Sequence, residues 1–174
     1  MNVKIYISGI GGQGVIFASK LLAGTALLKG EKVVTSETHG MAVRGGSVVS
    51  EIKIGNYKSP AIMQGCADIL IGMDLSEGEK RLSYLKKKGL LLVNGESFSQ
   101  KYFYPFSKEA YKCNMLKNLN IIMLGAAASF KVFPFTPHEI AEALTRIASG
   151  NILKINLKAL DFGCEIYKKN FKEI

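Results

Sequence analysis

The turn that most constrains this chain lies in its first fifteen residues. Val3 to Ser8 alternates in a β-rich pattern, enters "GIGGQG" at positions 9–14, and continues into Val15 to Lys29, whose apolar residues recur at helical spacing. Gly30 is placed as a helix stop, and "KVVTS" at Lys32 to Ser36 reads as a second strand. Together these segments predict a βαβ unit of about 35 residues.

Gly9, Gly11 and Gly14 stand at G-x-G-x-x-G spacing between a strand and a helix, the context in which that spacing carries meaning. The first glycine allows the tight turn, the second lets a ligand approach the backbone, and the third lets helix pack on strand. Free amides at the helix start favour a phosphate. Two readings stay open: Gly9, Gly11, Gly12, Gln13 and Gly14 bind a ligand, or they only allow the first helix to lie on the sheet. A dinucleotide site wants an acid near the end of the second strand, and Glu37 falls one residue beyond it. The extra Gly12 and Gln13 make this turn more particular than the generic fingerprint.

Downstream, "SVVSEIKI" at Ser47 to Ile54 alternates as a third strand. "ADILIGM" at Ala67 to Met73 and "LLLVN" at Leu90 to Asn94 are short apolar runs typical of interior parallel strands. Ser76 to Lys88 reads as an amphipathic covering helix capped by Ser76, with Glu77 and Glu79 in its first turn. Helical periodicity then dominates at Leu119 to Phe130, Thr136 to Ser149 and Leu153 to Phe171, with Thr136 as cap and Pro137 in the first turn. The fold expected is α/β: a Rossmann-like, open, mostly parallel sheet flanked by helices, with a helical carboxyl-terminal portion, all in a single domain over residues 1–174.

Between the second and third strands lies "SETHGMAVRGGSVVS", residues 36–50. Glu37 and His39 are the candidates for proton transfer there, because a histidine titrates near neutral pH and a carboxylate can accept a proton. The alternative for His39 is a hydrogen-bonded loop histidine. Arg44 presents a fork suited to a carboxylate or phosphate, or pairs with Glu37 to hold the loop. Gly40, Gly45 and Gly46 permit positive φ or close backbone approach, and Met41 suits an adaptable contact. His138 has no constellation around it and reads as a surface residue.

Composition narrows the partners. The formal net charge is +9, but lysines outnumber arginines 20 to 3 and lie along the whole chain, with Lys86–Lys88 the longest consecutive run. Apart from that triplet and the pair Lys168–Lys169 the lysines are isolated, a pattern that reads as compositional bias, and no nucleic-acid-reading motif accompanies it. Cys66, Cys113 and Cys164 are odd in number and widely spaced, without metal-ligand spacing, so no disulfide framework and no metal site is expected. The amino terminus shows no signal-peptide pattern, and the longest apolar run falls well short of the ~20 residues of a membrane span. A reducing, cytoplasmic setting is expected.

"GIGGQGV" and "SETHGMAVRGGSV" together resemble the gamma-type subunits or domains of 2-oxoacid:ferredoxin oxidoreductases, and most of all the small (beta) subunits of the indolepyruvate branch. "NIIMLGA" at Asn120 to Ala126 and "NLKALDFG" at Asn156 to Gly163 are similar too, while Gln100 to Lys117 matches less. Val43 departs from the wider family, where many members carry Gln. The resemblance implies oxidative decarboxylation of a 2-oxoacid with coenzyme A, giving acyl-coenzyme A, carbon dioxide and reduced ferredoxin. It implies that thiamine diphosphate, magnesium and iron–sulfur clusters sit on a larger partner subunit, since this chain has neither a GDG segment nor clustered cysteines. The loops at 9–14 and 37–46 would then face that partner, with coenzyme A as co-substrate. Two readings from other classes remain: a stand-alone NAD(P)-binding oxidoreductase using Glu37 for the ribose, and a non-catalytic nucleotide-sensing domain.

Overall fold

The computed structural model describes residues 1–40, 45–96 and 103–171. Its strands are β1 (Val3–Ile10), β2 (Val33–His39), β3 (Ser47–Ile54), β4 (Ala67–Gly72), β5 (Leu85–Asn94) and β6 (Phe103–Tyr104). Its α-helices are α1 (Val15–Leu28), α2 (Leu75–Lys80), α3 (Phe106–Lys112), α4 (Leu119–Ala128), α5 (Pro137–Ile147) and α6 (Gly150–Asn170). The strands form one sheet in the order β2-β3-β1-β4-β5-β6. β3 pairs antiparallel with both β1 and β2, whereas β1–β4, β4–β5 and β5–β6 are parallel. Five strands therefore point one way and β3 alone runs against them, which is the mostly parallel α/β sheet expected.

The βαβ expectation needs one correction. β1 and β2 share a direction but are not neighbours, because β3 returns antiparallel between them. β3 pairs along its whole length on both sides, so inserting it satisfies two ladders of backbone groups that an exposed edge would leave open. The same pairing extends β2 past the expected end at Ser36. Glu37, Thr38 and His39 are opposite Ser50, Val49 and Val48, and so belong to a strand rather than a loop.

Three further elements have boundaries other than those expected. The covering helix is only α2, capped by the Asp74 carboxylate, which accepts the Glu77 amide at 3.1 Å, and not by Ser76. After a 3-10 turn at Leu82–Tyr84 the chain is already strand from Leu85, because Leu85 pairs with Ala67 before the bulge that precedes Leu90. α6 likewise starts at Gly150 rather than Leu153. β6 and α3 fall in the stretch where no element was expected. Thr136 does cap α5: its hydroxyl accepts the Glu139 amide while Glu139 accepts the Thr136 amide at 2.8 Å, a capping box ahead of Pro137.

The larger core lies on one face of the sheet, where Ile5, Ile7, Ile52, Ile69 and Ile71 meet α1 and α4, with α5 and α6 outside them. All ten residues of α4 are buried, which explains an apolar run too short for a membrane yet apolar all round. No described helix is long and apolar enough to cross a membrane. The opposite face carries a smaller cluster of Tyr6, Val49, Ile62, Leu70, Leu91 and Val93, covered by segment 55–66, α2 and the 3-10 turn. Burial pushes the Tyr6 phenol up to about 12, so it stays protonated there.

Candidate functional site

The glycine turn sits at the carboxyl end of β1, where the chain leaves to one side of the sheet while β4 and β5 continue on the other. Open α/β sheets bind ligands at such a switch point. The two segments singled out in the sequence meet there. The Gly11 amide donates to the Gly46 carbonyl at 2.8 Å, and the Gly40 amide donates to the Ser47 carbonyl at 2.7 Å. The end of the β2–β3 connection is thus bonded directly to the glycine turn.

Each glycine of the turn has a different environment. Gly14 is the N-cap of α1 at φ 78, and a β-carbon there would lie 2.4 Å from the Asn120 amide nitrogen, which donates to the Gly14 carbonyl at 3.1 Å. This glycine is fixed by backbone geometry and by the start of α4 together. Gly9 backs onto Gln13 and Val15, while Gly12 is exposed with open space around it. The Gln13 side chain is engaged at both ends: its oxygen accepts the Ile10 amide at 2.9 Å and its nitrogen donates to the Met73 carbonyl at 3.2 Å. Gln13 therefore braces the turn against the end of β4. Gln13→Ala is expected to cost about 1–2 kcal/mol, from two lost bonds at a half-buried position. Hydrogen exchange at the Ile10 amide should accelerate; an unchanged rate would mean that another acceptor holds the turn.

Two clefts flank the turn and share Gly12. The smaller, ≈ 300 Å³, is lined by Ile10, Gly11, Gly14, Ile16, His39, Gly40 and Ser47 among others. His39 is exposed at its rim. Glu37 lies two residues back on the same face of the edge strand, exposed, and does not line the cleft. Since β3 separates β2 from β1, Glu37 is two strands, roughly 10 Å, from the strand that carries the glycine turn. The ribose contact of a dinucleotide site, which needs the acid on the strand next to β1, loses its geometry. Gly45, at φ 72, and Gly46 lie at the entry to β3, whereas Met41 and Arg44 lie outside the described residues.

The larger cleft, ≈ 850 Å³, was not foreseen. It runs from Gly12 and Gln13 along the carboxyl ends of β4 and β5 to the starts of α3 and α4, lined by Asp74, Asn94, Ser107, Lys117 and Asn118, with Tyr111, Leu116 and Ile155 as apolar rim. Asn94 holds its floor: it donates to the Met73 carbonyl at 2.9 Å and accepts the Ser107 amide at 3.0 Å. The signal for these residues was available, since Asp74 and Asn94 end or follow two apolar runs recognisable as parallel strands.

A buried carboxylate stands behind Ser47, which lines the smaller cleft. Glu77, only 4% exposed, accepts the Ser47 hydroxyl at 2.5 Å and the Lys80 ammonium at 2.7 Å. Burial pushes its carboxyl upward, but the hydrogen bonds from Lys80 and Ser47 outweigh burial and hold it below the ordinary range. It ties the first residue of β3 to α2. Cys164, half-buried, is pushed up by burial and stays a thiol; Cys66 and Cys113 are also free, and Cys113 is exposed. His138 is exposed in the first turn of α5. No group of three or more His, Cys, Asp or Glu residues stands together among the described residues. That donor set does not fit an iron–sulfur cluster.

Comparison with known proteins gives a consistent picture. The sequence pattern of the family described as pyruvate ferredoxin/flavodoxin oxidoreductase matches residues 4–166. An indolepyruvate oxidoreductase subunit, IorB, of Archaeoglobus fulgidus is 30% identical over 189 aligned positions, covering 94% of this chain and 94% of the relative. The crystal structure of a keto/oxoacid ferredoxin oxidoreductase gamma subunit from Geobacter sulfurreducens superposes with a TM-score of 0.77 at 25% identity, over 97% of this chain and 98% of that one. The fold also recurs, at TM-score 0.79 and 20% identity, in a 2-oxoglutarate:ferredoxin oxidoreductase from Magnetococcus marinus. That structure holds 2-oxoglutarate, coenzyme A and succinyl-CoA; the match covers 99% of this chain and 32% of that one.

Proposed function

Because this chain belongs to the pyruvate ferredoxin/flavodoxin oxidoreductase family, we propose that it is the small subunit of a 2-oxoacid:ferredoxin oxidoreductase, of the indolepyruvate type. The whole chain, 1–174, acts as one gamma-type domain. The assembled enzyme converts a 2-oxoacid, coenzyme A and oxidised ferredoxin into acyl-coenzyme A, carbon dioxide and reduced ferredoxin, in the cytoplasm. Thiamine diphosphate with magnesium, and iron–sulfur clusters, reside on a larger partner subunit and supply the decarboxylation and the electron relay.

The observation that carries this reading is the Gly11–Gly46 bond, which brings the two most characteristic segments of the chain to one edge of the sheet. In the complex that edge faces the partner. The turn at Gly9, Gly11, Gly12, Gln13 and Gly14 gives a rigid, side-chain-free surface that another chain or the coenzyme A phosphates can approach closely, with the unblocked start of α1 behind it. Gly45 and Gly46 extend that surface, and the role of anion contact is assigned to Arg44, the residue before them in sequence. Glu37 and His39, on one face of the edge strand, stand where a proton could be passed at the boundary with the partner's site.

Reconstitution tests it. Co-expression with a partner chain that binds thiamine diphosphate and iron–sulfur clusters should yield a stable complex that oxidises an aryl 2-oxoacid only when both chains are present. Glu37→Ala with His39→Ala should leave the complex assembled and lower kcat by about 10²-fold if the pair moves a proton. An active partner that gains nothing from this chain would overturn the reading.

A further inference from the structure

Lysines scattered along the sequence come together in the fold. Lys4 is second in β1, Lys86 second in β5, and Lys53 next to last in the antiparallel β3, so all three stand at the amino-terminal end of the sheet, opposite the glycine turn. Lys58 follows Tyr57 just beyond β3, and Lys87 and Lys88 follow Lys86. By alternation with the core residues Ile5 and Ile52, Lys4 and Lys53 project from the face opposite α1, the one covered, among the described residues, by segment 55–66, α2 and a 3-10 turn.

Three features show that this is more than an excess of lysine. Lys4 and Lys53 are direct cross-strand partners, a like-charge pairing that destabilises a sheet. Both ammoniums lie over the Tyr57 ring, at 5.8 and 5.4 Å from its centroid, so the ring holds the two charges together without neutralising either. Lys88 has φ 66, a left-handed conformation that a lysine adopts only at a cost, in the irregular stretch of β5 where its register with β4 shifts. Two local rules are broken on this end of the sheet, by the like-charge pair and by the left-handed lysine, as they are at sites kept for function.

The balance of charge there is strongly positive. Asp68 accepts the Lys4 backbone amide at 2.8 Å and pairs with Lys86, which links the starts of β1 and β5. Glu51, further along the same face, is engaged by the Ile62 amide at 2.6 Å. Lys53, Lys58, Lys87 and Lys88 have no carboxylate partner among the described residues.

We propose that this face docks a protein surface rich in Asp and Glu, that of the small acidic electron carrier which the assembled enzyme reduces. A protein fits better than a nucleic acid. The cluster's free charges are ammoniums, the arginine of that face, Arg81, standing beside Tyr6 and Glu77 with its Nε buried, and its aromatic ring is taken up by ammoniums rather than free to stack a base. Ammonium point charges on flexible stems suit a carboxylate-rich surface that binds transiently and dissociates with salt. The identity of the carrier rests on the function proposed above; the surface itself does not.

The experiment uses the assembled complex with Lys58→Glu, Lys87→Glu and Lys88→Glu combined, all exposed positions remote from the glycine turn. With an acidic ferredoxin as acceptor, KM for ferredoxin should rise about tenfold or more and lose most of its dependence on ionic strength. KM for the 2-oxoacid, and kcat with a small viologen dye as acceptor, should not change. The Lys→Gln triple variant should fall between. Unchanged ferredoxin KM with intact dye activity overturns the docking surface. So does tighter binding of the wild-type chain to random duplex DNA than to ferredoxin, lost in the Glu variant. A wild-type complex without dye activity overturns the functional reading instead. Calorimetry of the full chain with the acidic ferredoxin at low ionic strength then decides the surface alone: binding lost in the Glu variant supports it, and equal or absent binding refutes it.

Discussion

Gly163→Ala is expected to cost about 3 kcal/mol or more, the upper end for an overpacked core, and to lower the melting temperature by roughly 6–12 °C. A β-carbon at Gly163 in α6 would lie 2.0 Å from the Ile122 carbonyl oxygen and 2.9 Å from the Ala126 amide nitrogen, both backbone atoms of α4. The contact is reciprocal, since a β-carbon at Gly125 of α4 would lie 2.1 Å from the Leu160 carbonyl oxygen of α6. No side-chain rotation relieves a clash with backbone. The helices must separate, and the separation would loosen the buried Ala159, Leu160 and Ile166 and the 2.8 Å bond between Asn118 and Asn156. Gly24→Ala in α1 is the matched control: nothing lies within 4 Å of its added carbon, and alanine is the better helix former, so it should gain up to about 1 kcal/mol. Equal thermal stability of Gly163→Ala and the wild type would mean that α4 and α6 pack less closely than described.

The second large effect is expected at Glu77. Glu77→Ala should lose about 2 kcal/mol, because it strands the Ser47 hydroxyl and removes the acceptor that fixes the start of β3 to α2. Lys80 is mostly exposed and can return to water, which keeps the loss below that of a fully buried ion pair. The pH dependence separates the charge from the shape. Glu77 stays ionised in the folded chain to lower pH than in the unfolded chain. Its contribution is therefore complete above the ordinary carboxylate range and is lost as the pH falls through the lower, folded value. Glu77→Gln keeps the shape and an acceptor, so its deficit should be largest at neutral pH and shrink in acid. Glu139 works in the same direction, held low first by the Lys29 ammonium and then by the Thr136 amide, so some acid sensitivity must remain. Urea midpoints of wild type and Glu77→Gln at neutral and acid pH check this; parallel curves would show that the Glu77 charge does not contribute.

The placement of Ser47 and Glu77 illustrates how far the sequence could be read. Both residues were visible, one opening a strand and the other in the first turn of a helix. Nothing in their spacing, 30 positions apart, announced that the Ser47 hydroxyl donates to the Glu77 carboxylate. Lys4 and Lys53 are the same case on a larger scale. They become neighbours only because β3 pairs with β1, and until then their charges are entries in a composition. Gln13 was singled out for the right segment, but its engagement with Met73 depends on β4 lying next to β1.

What the sequence determined by itself is local: the strand, glycine turn and helix at the start, third-strand limits at Ser47 and Ile54, the Thr136 cap, and the family to which the two characteristic segments point. Those follow from short-range periodicity, from φ preference and from side chains that bond to backbone a few residues away. The tertiary structure alone decided that β3 divides β2 from β1, that Glu37 and His39 belong to a strand, and that a second cleft runs past Asp74 and Asn94. Each of these depends on which strands share a ladder, and that choice is made by burying both faces of β1 and β3, a long-range energy that no local pattern carries.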